Sequence, residues 1–393
     1  MKLNLAGLPT RKALSGLVIG AATAMAMMLP VSPAHAKFDQ VLGWGTNDTW
    51  QLGDTDTADH WRPSKMAGLT DADIVDLAAG ADGHGHGLAL LANRTVVAWG
   101  WNYWGQLGDG MNANRAVPAV VSELKDIIAI AAGGLHNLAL AADGTVWAWG
   151  HNGYGQLGDG SYTTRYTPVP VEGLTGVVAI SAGRYHSLAV LTDGTVRAWG
   201  LNSNGELGDG SNTNRNNPVA VAGINNARNV VGGYAHSMAV LADGTVRAWG
   251  WNATGQLGDG TTADRNLPVT VTGLSGIKAI DTANRSSYAL ATDGTVRAWG
   301  WNGEGQLGDG TTNQHNIPVQ VHNLTGIVKI ASGAEYAIAL RSDGVVHAWG
   351  QNGDGQLGDG SNTNRTLPVV VLDRVSNLST IAAPVNGFFT YAA

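Results

Sequence analysis

Apolar residues occur along this chain in short runs that are separated by glycine, aspartate and asparagine. Between residues 176 and 225 the runs are 177–180, 186–191, 195–199 and 218–221. Runs of this length, rich in β-branched residues and bounded by turn formers, are typical of β-strands. Asp193-Gly194 joins the second run to the third, and such a pair favours a type I′ hairpin turn. No amphipathic helical period persists, so the pattern predicts four antiparallel strands.

This segment is one copy of a repeat. Its best preserved stretch, at 298–310, reads Ala-Trp-Gly-Trp-Asn-Gly-Glu-Gly-Gln-Leu-Gly-Asp-Gly, and copies recur at intervals of fifty residues. The other copies begin at Ala98, Ala148, Ala198, Ala248 and Ala348, with a looser copy at Gly43. A fixed period of this length indicates a repeat architecture. Seven copies of four antiparallel strands predict an all-β fold, a seven-bladed β-propeller of four-stranded blades.

The two ends of the repeat array are incomplete in a complementary way. Residues 37–45 match only the third strand and the start of the long loop that follows it. The missing strands are at the other end, where 378–383 match the first strand and 388–392 match the second. We therefore expect the N- and C-terminal strands to pair in one blade and to close the propeller. Such closure removes free sheet edges and holds both termini.

The first thirty-six residues have a different composition. Three basic residues precede an apolar stretch at 13–29, and Ala34-His35-Ala36 has the small-x-small form of a cleavage site. This order is typical of a secretory signal peptide, with a retained membrane anchor as the alternative. We predict a signal peptide at 1–36 and a mature propeller domain at 37–393. The mature protein is expected in the periplasm, at the cell surface or outside the cell, without insertion into the membrane.

Charge and cysteine content exclude several classes of function. Removal of the signal peptide takes away three of the 23 basic residues and none of the 30 acidic ones, which leaves a net charge of −10 with histidine neutral. This balance argues against a nucleic-acid partner, because such binding needs a basic surface. The chain has no cysteine, so disulfides and cysteine-based metal sites are excluded. We expect a monomer.

The repeat resembles that of the regulator of chromosome condensation family. The resemblance rests on Trp-Gly-x-Asn-x-x-Gly-Gln-Leu-Gly-Asp-Gly, then Pro-Val, then Ile-x-x-Ile-x-x-Gly-x-x-His-Ser-x-Ala-Leu and Asp-Gly-x-Val, and it covers residues 37–393. It implies a seven-bladed propeller, in agreement with the strand count, and a secreted bacterial member. It also implies three kinds of function: guanine-nucleotide exchange on a small GTPase, inhibition of a β-lactamase by secreted members, and interaction scaffolding.

Residues that recur in every repeat are better explained by structure than by chemistry. Trp44 and its six equivalents are expected to pack between blades, where they bury large apolar areas. Asp109 and its equivalents are expected to pair with Arg115 and its equivalents and not to bind calcium, because the acidic residue at the twelfth loop position is absent. His86, His136, His186 and His236 share one repeat position and suggest a structural hydrogen bond. We therefore predict no enzyme, no cofactor and no metal.

Positions at which the repeats differ are the better candidates for a binding site. Because antiparallel strands alternate in direction, the turn between strands one and two and the long loop between strands three and four lie on one face. Aromatic residues concentrate there, and exposed aromatics with polar neighbours are enriched at protein interfaces. The candidate partner-binding residues are Trp50, Trp101, Tyr103, Trp104, His151, Tyr154, Tyr185, Tyr234, Trp251, Trp301 and Tyr336.

These observations predict an exported, non-enzymatic scaffold that binds an unidentified protein through this aromatic face. Four alternatives stay open. The chain could be an inhibitor of a periplasmic or secreted hydrolase such as a β-lactamase. It could be a glycan-binding lectin, or a guanine-nucleotide exchange factor for a small GTPase. Finally, the rings could fold down over the blade tips as a lid and bind no partner.

Overall fold

The protein is a seven-bladed β-propeller, as the sequence predicts. A computed structural model describes residues 40–69 and 73–393, so the predicted signal peptide lies outside the described residues. The described part contains 28 strands in seven four-stranded antiparallel sheets. Within these ranges there is no helix that could cross a membrane.

The strands are numbered in chain order. The first fourteen are β1 (Leu42–Gly45), β2 (His60–Lys65), β3 (Ile74–Ala81), β4 (Gly85–Leu91), β5 (Val96–Gly100), β6 (Arg115–Val120), β7 (Ile127–Ala132), β8 (His136–Ala141), β9 (Val146–Gly150), β10 (Arg165–Pro170), β11 (Val177–Ala182), β12 (His186–Leu191), β13 (Val196–Gly200) and β14 (Arg215–Ala220). The others are β15 (Ala227–Gly232), β16 (His236–Leu241), β17 (Val246–Gly250), β18 (Arg265–Thr270), β19 (Ile277–Thr282), β20 (Ser286–Ala291), β21 (Val296–Gly300), β22 (His315–Gln320), β23 (Ile327–Ser332), β24 (Tyr336–Arg341), β25 (Val346–Gly350), β26 (Arg365–Leu372), β27 (Ile381–Ala382) and β28 (Phe389–Ala392).

Six blades are each built from four consecutive strands. Blade 1 contains β3 to β6, and blades 2 to 6 continue in the same way to β26. The seventh, called the closing blade, has the order β2-β1-β28-β27 and joins both ends of the chain. Leu42 pairs with Ala392 and Gly45 pairs with Phe389. The predicted pairing of the terminal strands is therefore confirmed, although β27 is shorter than the expected 378–383.

The repeated tryptophans form the joints between blades. Trp99 is fully buried, and its indole Nε1 donates to the backbone oxygen of Gln51 in the preceding blade at 2.9 Å. The same bond, at 2.8 to 3.0 Å, is made by Trp44, Trp149, Trp199, Trp249, Trp299 and Trp349. Burial of a large ring together with its satisfied donor stabilises each joint, which confirms the structural interpretation of these residues.

Four histidines add a second hydrogen bond at the joints. His186 is fully buried, and its Nε2 lies 2.9 Å from the Oγ of Ser237 in the next blade. That serine donates to the backbone oxygen of Glu206, so the proton in the contact belongs to Nε2. Burial lowers the pKa of His186 to about 4, which leaves the ring neutral at pH 7. Equivalent contacts join His86 to Asn137, His136 to Ser187, and His236 to Ser287.

Each long loop is held by its own polar side chains. In blade 1 the Asn102 Oδ1 accepts from the backbone N–H of Leu107 at 2.8 Å, and its Nδ2 donates to Asp109 at 3.2 Å. Asp109 in turn accepts from Arg115 Nε at 2.6 Å. Equivalent ion pairs link Asp159 to Arg165, Asp209 to Arg215, Asp259 to Arg265 and Asp359 to Arg365. The predicted pairing is confirmed, and each of these loops is cross-linked by its own hydrogen bonds beneath the residues it carries.

Candidate interaction face

One end of the propeller is formed by the seven turns between first and second strands and by the seven long loops between third and fourth strands. We call this end the loop face. The two sets of segments are hydrogen-bonded to each other where each long loop begins. Trp101 N–H donates to Gly85 O at 2.9 Å, and Leu201 N–H donates to Tyr185 O at 2.9 Å. The predicted placement of these segments on one face is correct.

Aromatic rings on the loop face of blades 1 to 3 form a continuous series of contacts, which we call the aromatic ridge. Ring centroids are separated by 4.9 Å for His84 and Trp101, 6.2 Å for Trp101 and Tyr103, 5.0 Å for Tyr103 and Trp104, 4.7 Å for Trp104 and His151, 5.9 Å for His151 and Tyr154, and 4.9 Å for Tyr154 and Tyr185. Most of these rings are half-buried against one another, while Tyr103 is 57% exposed. The ridge therefore offers apolar area in fixed positions.

The ridge contains Trp101, Tyr103, Trp104, His151, Tyr154 and Tyr185 of the predicted site. Tyr234 extends it, because the guanidinium of Arg184 lies 4.3 Å from the Tyr234 ring centroid and 4.6 Å from that of Tyr185. Trp50, Trp251 and Trp301 are half-buried elsewhere on the loop face, and none of them belongs to the series of ring contacts. Three of the predicted residues are thus separate from the ridge.

Tyr336 is not part of this surface, and its assignment to the binding site is wrong. Its side chain is fully buried, and its hydroxyl lies 3.0 Å from Thr390 Oγ1 in the closing blade. It also donates to the backbone oxygen of Phe389. Tyr336 stands at the repeat position of the buried histidines, and this shared position was the signal that could have predicted its burial.

The mouth of the central channel on the loop face is covered by a polar cluster that sequence reasoning missed. Asp82 accepts from Arg184 Nε at 2.8 Å and from Asn386 Nδ2 at 2.9 Å, and the Tyr185 hydroxyl also donates to it. Burial raises the pKa of Tyr185, and the bond to Asp82 raises it further. Asp82 lies within the extra residues of the first repeat. That insertion was the sequence feature that could have pointed to a special role for this turn.

The channel beneath the cluster is narrow. Its lining consists mostly of small side chains, with Asp281 accepting from Ser332 Oγ at 2.7 Å. The cavity measures about 20 Å³, which is space for roughly one water molecule. The space inside the channel is therefore small compared with the surface that the loop face offers.

The other half of the loop face carries carboxylates. We call Asp59, Glu304, Glu335 and Asp354 the acidic arc; they lie in blades 5 and 6 and the closing blade, and none of them takes part in an ion pair among those formed by the described residues. Burial raises the pKa of Glu335. Burial and the charge of Asp59 raise the pKa of Asp354. The loop face thus carries the aromatic ridge over blades 1 to 3 and the acidic arc over blades 5 and 6 and the closing blade.

Two groups of side chains resemble a catalytic or a metal site by residue type, but their geometry supports neither role. His136 Nε2 lies 2.9 Å from Ser187 Oγ, as in a base and nucleophile pair, but this serine donates to Gln156 O at 2.8 Å. Burial lowers the pKa of His136 to about 3, so the ring is buried and poorly basic. Such a pair lacks the access and proton direction that general base catalysis requires.

The second arrangement is an acidic group in the first long loop. Potential ligand atoms of Asp54, Asp56 and His60 lie within 4.8 Å of one another. His60, however, occupies the position of Arg115, and its Nε2 lies 3.3 Å from Asp54, which is the equivalent of Asp109. The group is therefore this loop's version of the Asp–Arg pair, with Asp56 as an additional exposed carboxylate.

The strand order and repeat geometry have counterparts among known proteins. Residues 40–387 match a family model described as RCC1-like domain. Structures with the same fold include yeast RCC1 (Prp20) bound to Kap60, with a TM-score of 0.80 and 21% identity, covering 90% of this chain and 88% of that chain. Human WBSCR16 has a TM-score of 0.78 and 23% identity, covering 90% of this chain and 99% of that chain.

Curated relatives match over shorter segments. The mitochondrial RCC1 domain-containing protein RUG3 of Arabidopsis thaliana is 33% identical over 91 residues, which is 23% of this chain and 20% of that protein. The ultraviolet-B receptor UVR8 of the same plant is 36% identical over 83 residues, 21% of this chain and 18% of the receptor. The matched segments thus span about a fifth of these relatives.

Proposed function

This chain belongs to the family of RCC1-like domains, and on that premise we propose that it is an exported, non-enzymatic scaffold that binds a protein through the loop face. The observation that carries the proposal is the aromatic ridge. Its rings sit on loops that are held by the Asn102 and Asp109 type of network, so their positions are set before a partner arrives. Binding to prearranged rings avoids the entropic cost of ordering them.

The ridge also has the composition of an interface. Trp and Tyr residues are common among the side chains that contribute most to protein binding, especially where a polar rim surrounds them. Here Tyr185 at one end of the ridge contacts both Asp82 and Arg184 of the cluster over the channel, and the acidic arc lies on other blades of the same face. A partner with an exposed apolar side chain next to basic residues would complement both the aromatic ridge and the acidic arc.

The experiment compares purified wild type with two variants in capture from culture fluid and cell envelope, followed by titration of the captured protein. Trp101→Ala/Tyr103→Ala/Trp104→Ala removes the centre of the ridge, and Val178→Ala, at a residue that is 38% exposed near the start of β11 and thus at the end opposite the loop face, is the control. We expect the ridge variant to weaken binding at least tenfold and the control to match wild type. Equal binding by all three proteins would refute the assignment of the loop face.

The narrower possibilities are separated by further assays on the same proteins. Inhibition of a purified β-lactamase that is lost in the ridge variant would identify a hydrolase inhibitor. Faster release of labelled GDP from a small GTPase would identify an exchange factor, and retention on immobilised glycans that depends on the ridge would identify a lectin. Export itself is tested by N-terminal sequencing of the secreted protein, which should begin at Lys37.

A further inference from the structure

The end of the propeller opposite the loop face has a groove between blades 1 and 2. The groove has a volume of about 640 Å³. Its lining includes Arg94, Glu123, Lys125, Asp126, Thr145 and Trp147. A volume of this size lies within the range of small-ligand sites. The residues come from two hairpin turns, from strand β9 and from the connection between the blades. The groove is therefore independent of the aromatic ridge and of the function proposed for it.

Three of these residues depart from the repeat in a way that strains the backbone. Arg94, Glu123 and Asp126 adopt φ values of 66°, 66° and 50°, in the left-handed region. In blade 2 and the connection that follows it, the same repeat positions are Gly144, Gly173 and Gly176, which adopt such angles without steric cost. Strain of this kind persists where surrounding structure imposes it, and it concentrates at functional sites.

The joint between the two blades also carries a side-chain ion pair. At four other joints the glycine of the hairpin turn accepts a backbone hydrogen bond from the next blade: Gly194 from Ala227 at 2.9 Å, Gly244 from Ile277 at 3.1 Å, Gly294 from Ile327 at 3.1 Å and Gly344 from Val375 at 3.1 Å. Among the described residues Gly144 accepts no such bond from Val177. Within the described structure Arg94 makes no such bond with Ile127. Its side chain lies 3.4 Å from Asp126 Oδ1 instead. Charged side chains of both signs therefore face each other across this joint.

Trp147 provides the apolar wall of the groove. It lies on β9 two residues before the core Trp149, and it packs with one side against the apolar cluster between blades 1 and 2. At the same position the next three blades carry Arg197, Arg247 and Arg297. An indole that is half-buried at this position, beside residues of both charges, is specific to this one joint.

We propose that the groove binds a saccharide. A sugar ring has an apolar C–H face, which the Trp147 indole can cover, and a rim of hydroxyls that both donate and accept hydrogen bonds. Arg94 and Lys125 supply donors and Glu123 supplies an acceptor, while the Thr145 hydroxyl can do both. A ligand that carries a single charge would be repelled by the side chains of its own sign, because the groove holds both signs. A neutral polyhydroxylated ring uses both signs and the aromatic wall together.

The test uses the full purified protein and an immobilised panel of neutral oligosaccharides built from glucose, galactose, mannose and N-acetylglucosamine, with calorimetry on those retained. Trp147→Arg installs the residue that three other blades carry, so the fold should tolerate it. Arg94→Gly/Glu123→Gly/Asp126→Gly restores the glycines of other joints. We expect both variants to weaken saccharide binding at least tenfold, and the triple variant to raise the melting temperature because its backbone strain is relieved.

Two controls make the outcome decisive. Trp61→Ala removes an exposed tryptophan outside the groove and should bind as wild type does. Trp104→Ala alters the aromatic ridge and should also leave saccharide binding unchanged. Failure of wild type to retain any saccharide of the panel at millimolar concentration would overturn the proposal. Retention that is unaffected by Trp147→Arg, or that is lost in Trp104→Ala, would overturn it as well.

Discussion

At the joints between blades every repeat supplies the same kind of side chain, whereas on the loop face the repeats supply different ones. Each joint holds one of the seven buried tryptophans, and each of these donates to a loop carbonyl of the preceding blade. On the loop face the residue that follows Trp-Gly is Trp101 in blade 1, His151 in blade 2 and Leu201 in blade 3. The repeated residues at the joints hold the propeller together, whereas the variable residues on the loop face can distinguish one partner from another.

The physical basis of the contrast is burial. Trp199 is fully buried between two blades, while Trp101 is half-buried against neighbouring rings of the ridge. A change at a joint leaves a cavity between blades, but a change on the loop face mainly exposes a ring that is already partly in water. The following four predictions sharpen or break this comparison, beginning with the largest effect.

The first prediction concerns matched tryptophans. Trp199→Ala should lower the free energy of unfolding by about 3–5 kcal/mol, because a large cavity remains and the Gln156 carbonyl loses one of its two side-chain donors. Trp101→Ala should lower it by less than about 1.5 kcal/mol. Urea denaturation followed by circular dichroism measures both. A loss at Trp101 as large as that at Trp199 would show that the ridge is part of the core and not a binding surface.

The second prediction is acid sensitivity of the joints. Burial lowers the pKa of His86 and His186 to about 4 and that of His136 and His236 to about 3, against 6.5 in the unfolded chain. Below pH 6.5 these histidines are protonated in the unfolded chain but stay neutral in the folded protein. The free energy of unfolding therefore decreases as the pH falls, until the pH reaches the pKa values of the folded state. Each histidine contributes at most about 1.4 kcal/mol per pH unit.

This acid effect is checked by melting temperatures between pH 7 and pH 4. His186→Gln should reduce the slope of stability against pH, because one of the four buried joint histidines is gone. His84→Gln is the control, since His84 lies on the exposed loop face and is 46% exposed. If His186→Gln left the pH profile unchanged, the joints would not be the source of the acid sensitivity.

The third prediction concerns the cluster over the channel mouth. Asp82→Asn should destabilise the protein by about 1–3 kcal/mol, because Arg184 would keep its burial and lose its charged partner. Asp126→Asn breaks an exposed pair with Arg94 and should cost less than about 0.5 kcal/mol. Thermal denaturation compares them. Equal effects would mean that the cluster over the channel contributes no more than a surface ion pair.

The fourth and smallest effect is expected in a single long loop. Glu206 stands where the other six long loops have glutamine, and burial raises its pKa. Its ionised form is disfavoured in the folded protein, so stability is lost as pH rises from the ordinary glutamate pKa through the raised one. Glu206→Gln should therefore stabilise the protein at pH 7 by up to about 1 kcal/mol, and this gain should vanish near pH 4. A gain that persists at acid pH would refute the assigned cause.

Much of the loop face could be predicted from the repeat, but its assembly could not. The aromatic candidates on blades 1 to 3 were found because they differ between copies, and six of them lie together in the ridge. Trp50 illustrates the limit. It adopts a φ of 61° at the position of Gly105 and lies apart from the ridge. Its distance from the other rings depends on how neighbouring blades are placed, which strand patterns do not report.

The sequence by itself determined the number of strands, the period, the closure of the ring and the burial of the repeated tryptophans. Those features follow from local patterns that are repeated seven times, so each copy supports the interpretation of the others. Only the tertiary structure decided which side chains meet across blades. Asp82 reaches Arg184, which is 102 residues away, and Arg94 faces the connection that contains Glu123 and Asp126. Such contacts depend on the angle and spacing of packed blades, and a one-dimensional pattern does not contain those quantities.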